Sequence, residues 1–286
     1  YETIRLLGAG GMGEVYLARH RHLDRVGAVK VLLPAVSAMP DAIARFLAEA
    51  RAASVIEHPG IVEVWDCDVL DDGRAYIVME FLRGESLRGT LARAGALTTE
   101  WRTALAVIGQ AADALAAAHG KGIVHRDLKP DNIFLATKAG PTLAIQTKIL
   151  DFGIAKLLQS SQLGGVKTQT TALLGTPRYM SPEQCRGSGN IDARSDVYSL
   201  GCVMFEVLSG TVPFDREAVG EMLIAHATEP PPPLAIRGML NWGYSSQRLG
   251  PNTDPEQMRQ ELELIDAWGF NLIKCCLMAR TASDIG

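Results

Sequence analysis

The run His125-Arg126-Asp127-Leu128-Lys129-Pro130-Asp131-Asn132 carries the order H-R-D-L-x-x-x-N within eight residues, and chance is a poor explanation for it. Downstream, Asp151-Phe152-Gly153 begins 19 residues after Asn132 and Ser181-Pro182-Glu183 follows. The block Asp192-Ala193-Arg194-Ser195-Asp196-Val197-Tyr198-Ser199-Leu200-Gly201 comes next. Upstream, Gly8-Ala9-Gly10-Gly11-Met12-Gly13-Glu14-Val15 reads G-x-G-x-x-G-x-V, where absent side chains let backbone N–H groups approach phosphate oxygens. A dinucleotide-binding turn would lead from the third glycine into a helix. A strand pattern follows instead, which excludes that reading.

Gly27-Ala28-Val29-Lys30 then sets a lysine in a third strand, where it can reach phosphates held by the loop. Its partner is expected on the next helix. Glu49, 19 residues on and one step from the apolar face through Phe46 and Ala53, is preferred to Glu57 at the helix end.

Strand patterns occupy Ile4 to Leu7, Glu14 to Ala18 and Val26 to Leu33, separated by glycines or polar turns. Asp41 to Glu57 changes to helical period, with Ile43, Phe46, Leu47, Ala50 and Ala53 on one face and His58-Pro59-Gly60 as the stop. Strands are expected again at Ile61 to Trp65 and Ala75 to Phe81, before long helices at Thr98 to His119 and Asp196 to Leu208. A strand-rich portion of about 80 residues therefore precedes a helix-rich remainder. The 286 residues, at about 150 per domain, suit two compact bodies or one domain of two lobes. A net charge of −4 argues against wrapping a nucleic-acid backbone, so any bound anion must be held locally.

The ordered motifs resemble the protein kinases, and specifically the bacterial relatives of the eukaryotic (Hanks-type) serine/threonine kinases. The resemblance covers Tyr1 to about Pro233, with every motif in order. It implies an α+β, bilobal protein-kinase-like fold: a small antiparallel β lobe over 1–82 that binds ATP and a larger, mainly helical lobe over 83–286 that carries catalysis and the substrate. Asp127 would accept or orient the substrate hydroxyl proton, and Lys129 would neutralise the moving phosphoryl group. Lys30, held by Glu49, would bind the α and β phosphates, while Asn132 and Asp151 would ligate Mg²⁺, with Mn²⁺ as an alternative.

Leu7, Gly8, Ala9, Gly10, Gly11, Met12 and Gly13 would cover the nucleotide. Val15, Ala28 and Phe134 would sandwich the adenine, with Met79 behind it and Glu80 to Leu82 as the hinge. His125 and Phe152 read as packing residues. Lys129 together with Gly175-Thr176 matches serine/threonine rather than tyrosine kinases, so the acceptors are Ser or Thr hydroxyls of proteins. Thr168 and Thr170 are candidate autophosphorylation sites that Arg126 would engage, and Thr176 belongs to the same regulatory stretch. The rivals are a pseudokinase acting as a nucleotide-responsive binding module, and a small-molecule kinase of the same fold.

The pattern weakens after Pro233. The family arginine that should pair with Glu183 is missing from its place, so either another cation pairs with it, Arg280 being preferred to Arg259, or this lobe is less stable than its relatives. An amphipathic helix is expected to start at Asp254-Pro255-Glu256-Gln257. The opening in mid-pattern and the absent final helix suggest a fragment of a longer chain.

The five scattered cysteines read as reduced thiols. Thr103 to Gly120, the most membrane-like stretch, carries Asp113 and reads as a core helix. A cytoplasmic protein, or the cytosolic domain of a membrane-anchored one, is expected. It would have no nucleic-acid partner and no membrane segment of its own, and homodimerisation is open to it.

Overall fold

Apolar runs broken by glycine and polar turns fold into β1 (Glu2–Ala9), β2 (Gly13–Arg19) and β3 (Val26–Leu32), each antiparallel to the next. The computed structural model describes residues 1–39, 41–97, 101–138, 144–152, 177–187 and 191–233. With β4 (Val64–Val69) and β5 (Ala75–Glu80) the strands form a five-stranded sheet in the order β1-β2-β3-β5-β4. Gly13 is needed where β2 leaves the loop. A Cβ there would stand 2.4 Å from the Val31 carbonyl oxygen, so only glycine lets the two backbones close.

After a short α1 (Pro34–Ser37), α2 (Ala42–Ser54) lays Phe46 and Ala50 against Leu32, Ala75 and Ile77 of the sheet. This is the apolar face its period predicted.

The chain then crosses through β6 (Gly84–Ser86) to α3 (Leu87–Ala94), whose first turn is capped by the Ser86 hydroxyl accepting the Gly89 N–H at 3.2 Å. Beyond it come α4 (Trp101–Gly120), the hairpin β7 (Ile133–Lys138) and β8 (Ala144–Ile149), α5 (Pro182–Cys185), α6 (Ala193–Ser209) and α7 (Val219–Thr228). Small residues on α4, among them Ala104, Ala111, Ala114 and Ala118, are fully buried and let α6 and β8 pack closely on it. On α6, Ser195, Asp196 and every residue from Ser199 to Ser209 are buried, so this helix is the axis of the larger lobe. The result is the expected α+β bilobal fold.

Several elements depart from the sequence reading. The strand expected from Ile61 begins only at Val64, because the preceding backbone is taken up by β8. Ile61 bridges Ile149 in parallel, and the Val62 N–H donates to the Ile149 carbonyl at 3.1 Å. The β6-β7-β8 sheet was not expected in a helix-rich remainder, since its strands are short and β7 begins where the Asn132 motif ends. Helix α2 stops at Ser54, before the His58-Pro59-Gly60 signal.

Thr103 to Gly120 is a core helix as expected, and no helix among the described residues is long and apolar enough to cross a membrane. Cys67, Cys185 and Cys202 are free thiols. Gly153, Thr168, Thr170, Thr176, Arg259, Arg280 and the helix expected from Asp254 lie outside the described residues.

Candidate active site

Strand register gathers the residues assigned to the base. Val15 pairs with Lys30 across β2 and β3, and Ala28 pairs with Met79 across β3 and β5. Residues directly opposite, or two apart, share a face, so Val15, Ala28, Lys30 and Met79 line one side of the sheet. Leu7 is the one half-buried residue of β1. Gly8 and Ala9 at the end of β1, and Gly10, Gly11 and Met12 between it and β2, are exposed, and the loop is closed by the Gly10 N–H donating to the Gly13 carbonyl at 2.9 Å. Phe134 faces Ser86 and Lys148 from the other lobe's sheet. Leu82 is half-buried, but the Glu80 N–H already donates to the Glu63 carbonyl at 2.9 Å and is not open to a base.

Lys30 does not pair with Glu49. Its ammonium lies 2.7 Å from Asp151 Oδ1 and 5.9 Å from the centre of the Phe46 ring. The cost of ionising the two acids runs in the same direction. Glu49 is half-buried on α2, and its desolvation there, reinforced by Asp151 and opposed by Lys30, pushes its carboxyl from 4.5 up to about 8. Asp151 is 45% exposed and takes the cation instead. Burial works against the Lys30 charge, but Asp151 and then Glu49 outweigh it and its pKa moves up.

Folding therefore takes up a proton at Glu49 between about 4.5 and 8, and the native state loses stability as pH rises through that window. Glu49→Gln is expected to flatten this part of the stability profile, as read from melting temperatures across pH, and to cost little at neutral pH. An unchanged slope would contradict the assignment.

The H-R-D segment is held from behind. Asp196 at the start of α6 is fully buried, and its carboxylate accepts the His125 N–H at 2.7 Å, the Arg126 N–H at 2.8 Å and His119 Nε2 at 2.8 Å. Arg126 adopts a left-handed backbone, φ 67°, at the same point. His125 is fully buried against Phe152, with ring centres 5.0 Å apart, and its Nδ1 accepts the Asp127 N–H at 3.2 Å.

The Asp127 carboxylate meets the Lys129 ammonium at 3.1 Å, and the Asn132 amide donates to the Asp127 carbonyl at 2.8 Å. That last bond leaves the Asn132 amide oxygen as the end that can meet a cation. Asp196 and His119 were missed by motif reading, although an acid in a helix buried on nearly every side must be paired.

Arg126 has its Nε and Nη1 buried without a hydrogen-bond partner among the described residues, and burial draws its pKa down against the pull of Asp196. Its carbonyl accepts the Gln184 side-chain amide at 2.7 Å, which ties the loop to α5. Glu183 accepts a hydrogen bond from the Ser195 hydroxyl, so its partner among the described residues is a neutral donor on α6.

Next to it, Tyr179 donates to Glu206 at 2.5 Å while Arg88 binds both of them and approaches Asp131 at 3.4 Å. Burial first, and then the Glu206 bond, raise the Tyr179 pKa, so this platform is uncharged at its phenol. A second network missed by motif reading joins Lys148 to Glu80.

Comparison with known proteins agrees with this geometry. Residues 1–279 match the family described as the protein kinase domain. The chain is 44% identical over 236 residues to the serine/threonine-protein kinase Pkn1 of Myxococcus xanthus, covering 82% of this chain and 32% of that protein. It is 43% identical over 241 residues to the serine/threonine-protein kinase PknB of Mycobacterium tuberculosis, covering 83% and 37%. The chain thus spans about a third of the length of these relatives. Among solved structures, a point mutant of the Mycobacterium tuberculosis PknI kinase domain superposes with a TM-score of 0.59 at 30% identity, covering 83% of this chain and 81% of that one.

Proposed function

The chain belongs to the protein kinase domain family, and from that premise we propose that it is a serine/threonine protein kinase that transfers the γ-phosphate of ATP to Ser or Thr hydroxyls of proteins. The observation that carries the reading is the convergence of Lys30 on Asp151 at 2.7 Å and of Lys129 and Asn132 on Asp127 at 3.1 and 2.8 Å. Phosphoryl transfer asks the protein mainly to position and neutralise charge, and these are the groups it needs. Asp127 orients the acceptor hydroxyl, Lys129 balances charge on the moving group, and Lys30 grips the phosphates.

The donor set also fits a divalent cation: a half-exposed carboxylate at Asp151 and an amide oxygen at Asn132 are hard ligands, few enough to leave room for phosphate and water. Bound Mg²⁺, or Mn²⁺, would supply charge neutralisation of the triphosphate. The lobe boundary is placed at Leu82, with ATP in the cleft. The free thiols and the use of ATP favour a cytosolic position. Lys30, Asp127, Asn132 and Asp151 are all present, which leaves the binding-module reading without support. Incubating the chain with labelled ATP, Mg²⁺ and a generic protein acceptor tests the reading; label on Ser or Thr is expected, and nucleotide binding without transfer would overturn it.

The same reading assigns regulation to Arg126. A guanidinium with two buried nitrogens that have no partner among the described residues suits a phosphate, which brings about −1.5 to −2 charge and strong acceptor oxygens. Autophosphorylation at Thr168 or Thr170 is expected. Mass spectrometry after incubation with Mg²⁺ and ATP should find it. A phosphate-free stretch, or full activity of the double alanine variant, would contradict it.

A further inference from the structure

The ion pair of Lys148 and Glu80 lies apart from the phosphate and metal groups, yet it joins both ends of the nucleotide cleft. Lys148 is buried in β8, three residues before Asp151. Its ammonium donates to the Glu80 carboxylate and, at 3.1 Å, to the Ile61 carbonyl. Glu80 ends β5 and is the first residue of the segment assigned to the adenine. The carboxylate oxygen that meets Lys148 also accepts the Glu63 N–H at 2.9 Å, and the Glu80 N–H returns a bond to the Glu63 carbonyl at 2.9 Å. The Ile149 N–H donates to the Gly60 carbonyl at 2.7 Å, so the backbone from Gly60 to Glu63 is clasped between β8 and β5.

A buried ion pair adds little net stability over apolar packing, because desolvation offsets most of its attraction. What it does add is a fixed geometry. One strand, β8, delivers Asp151 to the phosphate end and, through Lys148, grips the first hinge residue at the base end. We propose that Lys148 is a positioning residue for the nucleotide, setting the separation between the hinge and Asp151 through its hold on Glu80. The proposal rests on the reading of the cleft as an ATP site. A ligand that spans both ends binds well only when they stand at the correct distance, so the effect falls on nucleotide affinity rather than on the chemical step.

The test is steady-state kinetics, ATP calorimetry and thermal melting of the chain with Lys148→Met, Lys148→Arg and Glu80→Gln. Lys148→Met is expected to raise KM and Kd for ATP about tenfold, with kcat and the KM for acceptor peptide within about twofold. Lys148→Arg retains the charge and the reach, and should restore near-parental affinity. Glu80→Gln keeps an acceptor oxygen but loses the charge that holds Lys148, so it should shift ATP affinity in the same direction as Lys148→Met by a smaller factor. The double variant should be no worse than Lys148→Met, because the two share one interaction. A lower melting temperature with unchanged ATP affinity would reduce the pair to a structural role and overturn the proposal. A higher kcat at unchanged KM would make it a restraint on lobe motion and overturn it equally. Failure of the parent chain to bind ATP would overturn the ATP reading itself, and the proposal with it.

Discussion

Asp127→Asn is expected to keep ATP affinity while turnover falls by about 10²- to 10⁴-fold, the range typical of a lost general base. The geometry isolates the carboxylate as the cause. The Asp127 backbone is held independently, by its N–H on His125 Nδ1 at 3.2 Å and its carbonyl on the Asn132 amide at 2.8 Å, so the substitution leaves the loop in place. What changes is the oxygen that meets Lys129 at 3.1 Å. An amide can still accept a hydrogen bond there but cannot take a proton or balance the ammonium.

Both side chains of that pair are partly exposed, 25% and 21%, so the stability cost is small, on the order of 1 kcal/mol or less after solvent screening. Calorimetry should therefore show parental nucleotide binding, melting should show a small shift, and phosphate transfer to an acceptor peptide should show nearly all of the loss. Turnover within threefold of the parent would remove Asp127 from the role of base.

The contrast between Asp127 and Glu49 shows what a linear motif reports. The spacing from Asp127 to Asn132 is legible because contiguous backbone supplies both residues, and the fold keeps them in contact. The glycine loop, Lys30 and the strands that carry it are legible for the same reason. The partner of Lys30 is different. Sequence spacing offered Glu49 and Glu57 for it, whereas the carboxylate that meets Lys30 is that of Asp151, brought beside it from the other lobe only by the fold.

At Glu183 the hydroxyl of Ser195, in a motif already quoted for other reasons, supplies a hydrogen bond that motif reading missed, while the cations expected for it, Arg280 and Arg259, lie outside the described residues. The β7-β8 hairpin and the Lys148–Glu80 pair were hidden because short strands carry little period, and because a lysine in a strand reads as solvated until the opposing carboxylate is placed beside it.

Asp196 is where the largest loss of stability is expected, and the argument is one of donors without acceptors. Three donors converge on its carboxylate: two backbone N–H groups, from His125 and Arg126, and the His119 ring. All of this lies at a fully buried position. Asp196→Asn sets an amide NH₂ among them, so at least one donor must face another donor. A hydrogen bond to a charged group is worth about 1.5 to 3 kcal/mol, so losing one of the three and weakening the others costs about 3 to 5 kcal/mol. For a domain of this size that is a fall in melting temperature of roughly 6 to 20 °C.

Activity should fall as well, and for a separate reason. Arg126 is held at φ 67°, a conformation that costs a non-glycine residue on the order of 1 kcal/mol or more, and the Asp196 oxygen on its N–H is what keeps it there. Released from that bond, Arg126 can relax to negative φ and swing the adjacent Asp127 away from the acceptor hydroxyl, for which a displacement of about 1 Å is worth about 10²-fold in rate.

The two effects separate by temperature: well below the lowered melting point the variant should be folded by circular dichroism and still slow. His119→Ala alone should be mild. Combined with Asp196→Asn it should add little, since both remove the same interaction. A melt within about 2 °C of the parent, or parental turnover in the folded variant, would show that the H-R-D segment is held by other contacts.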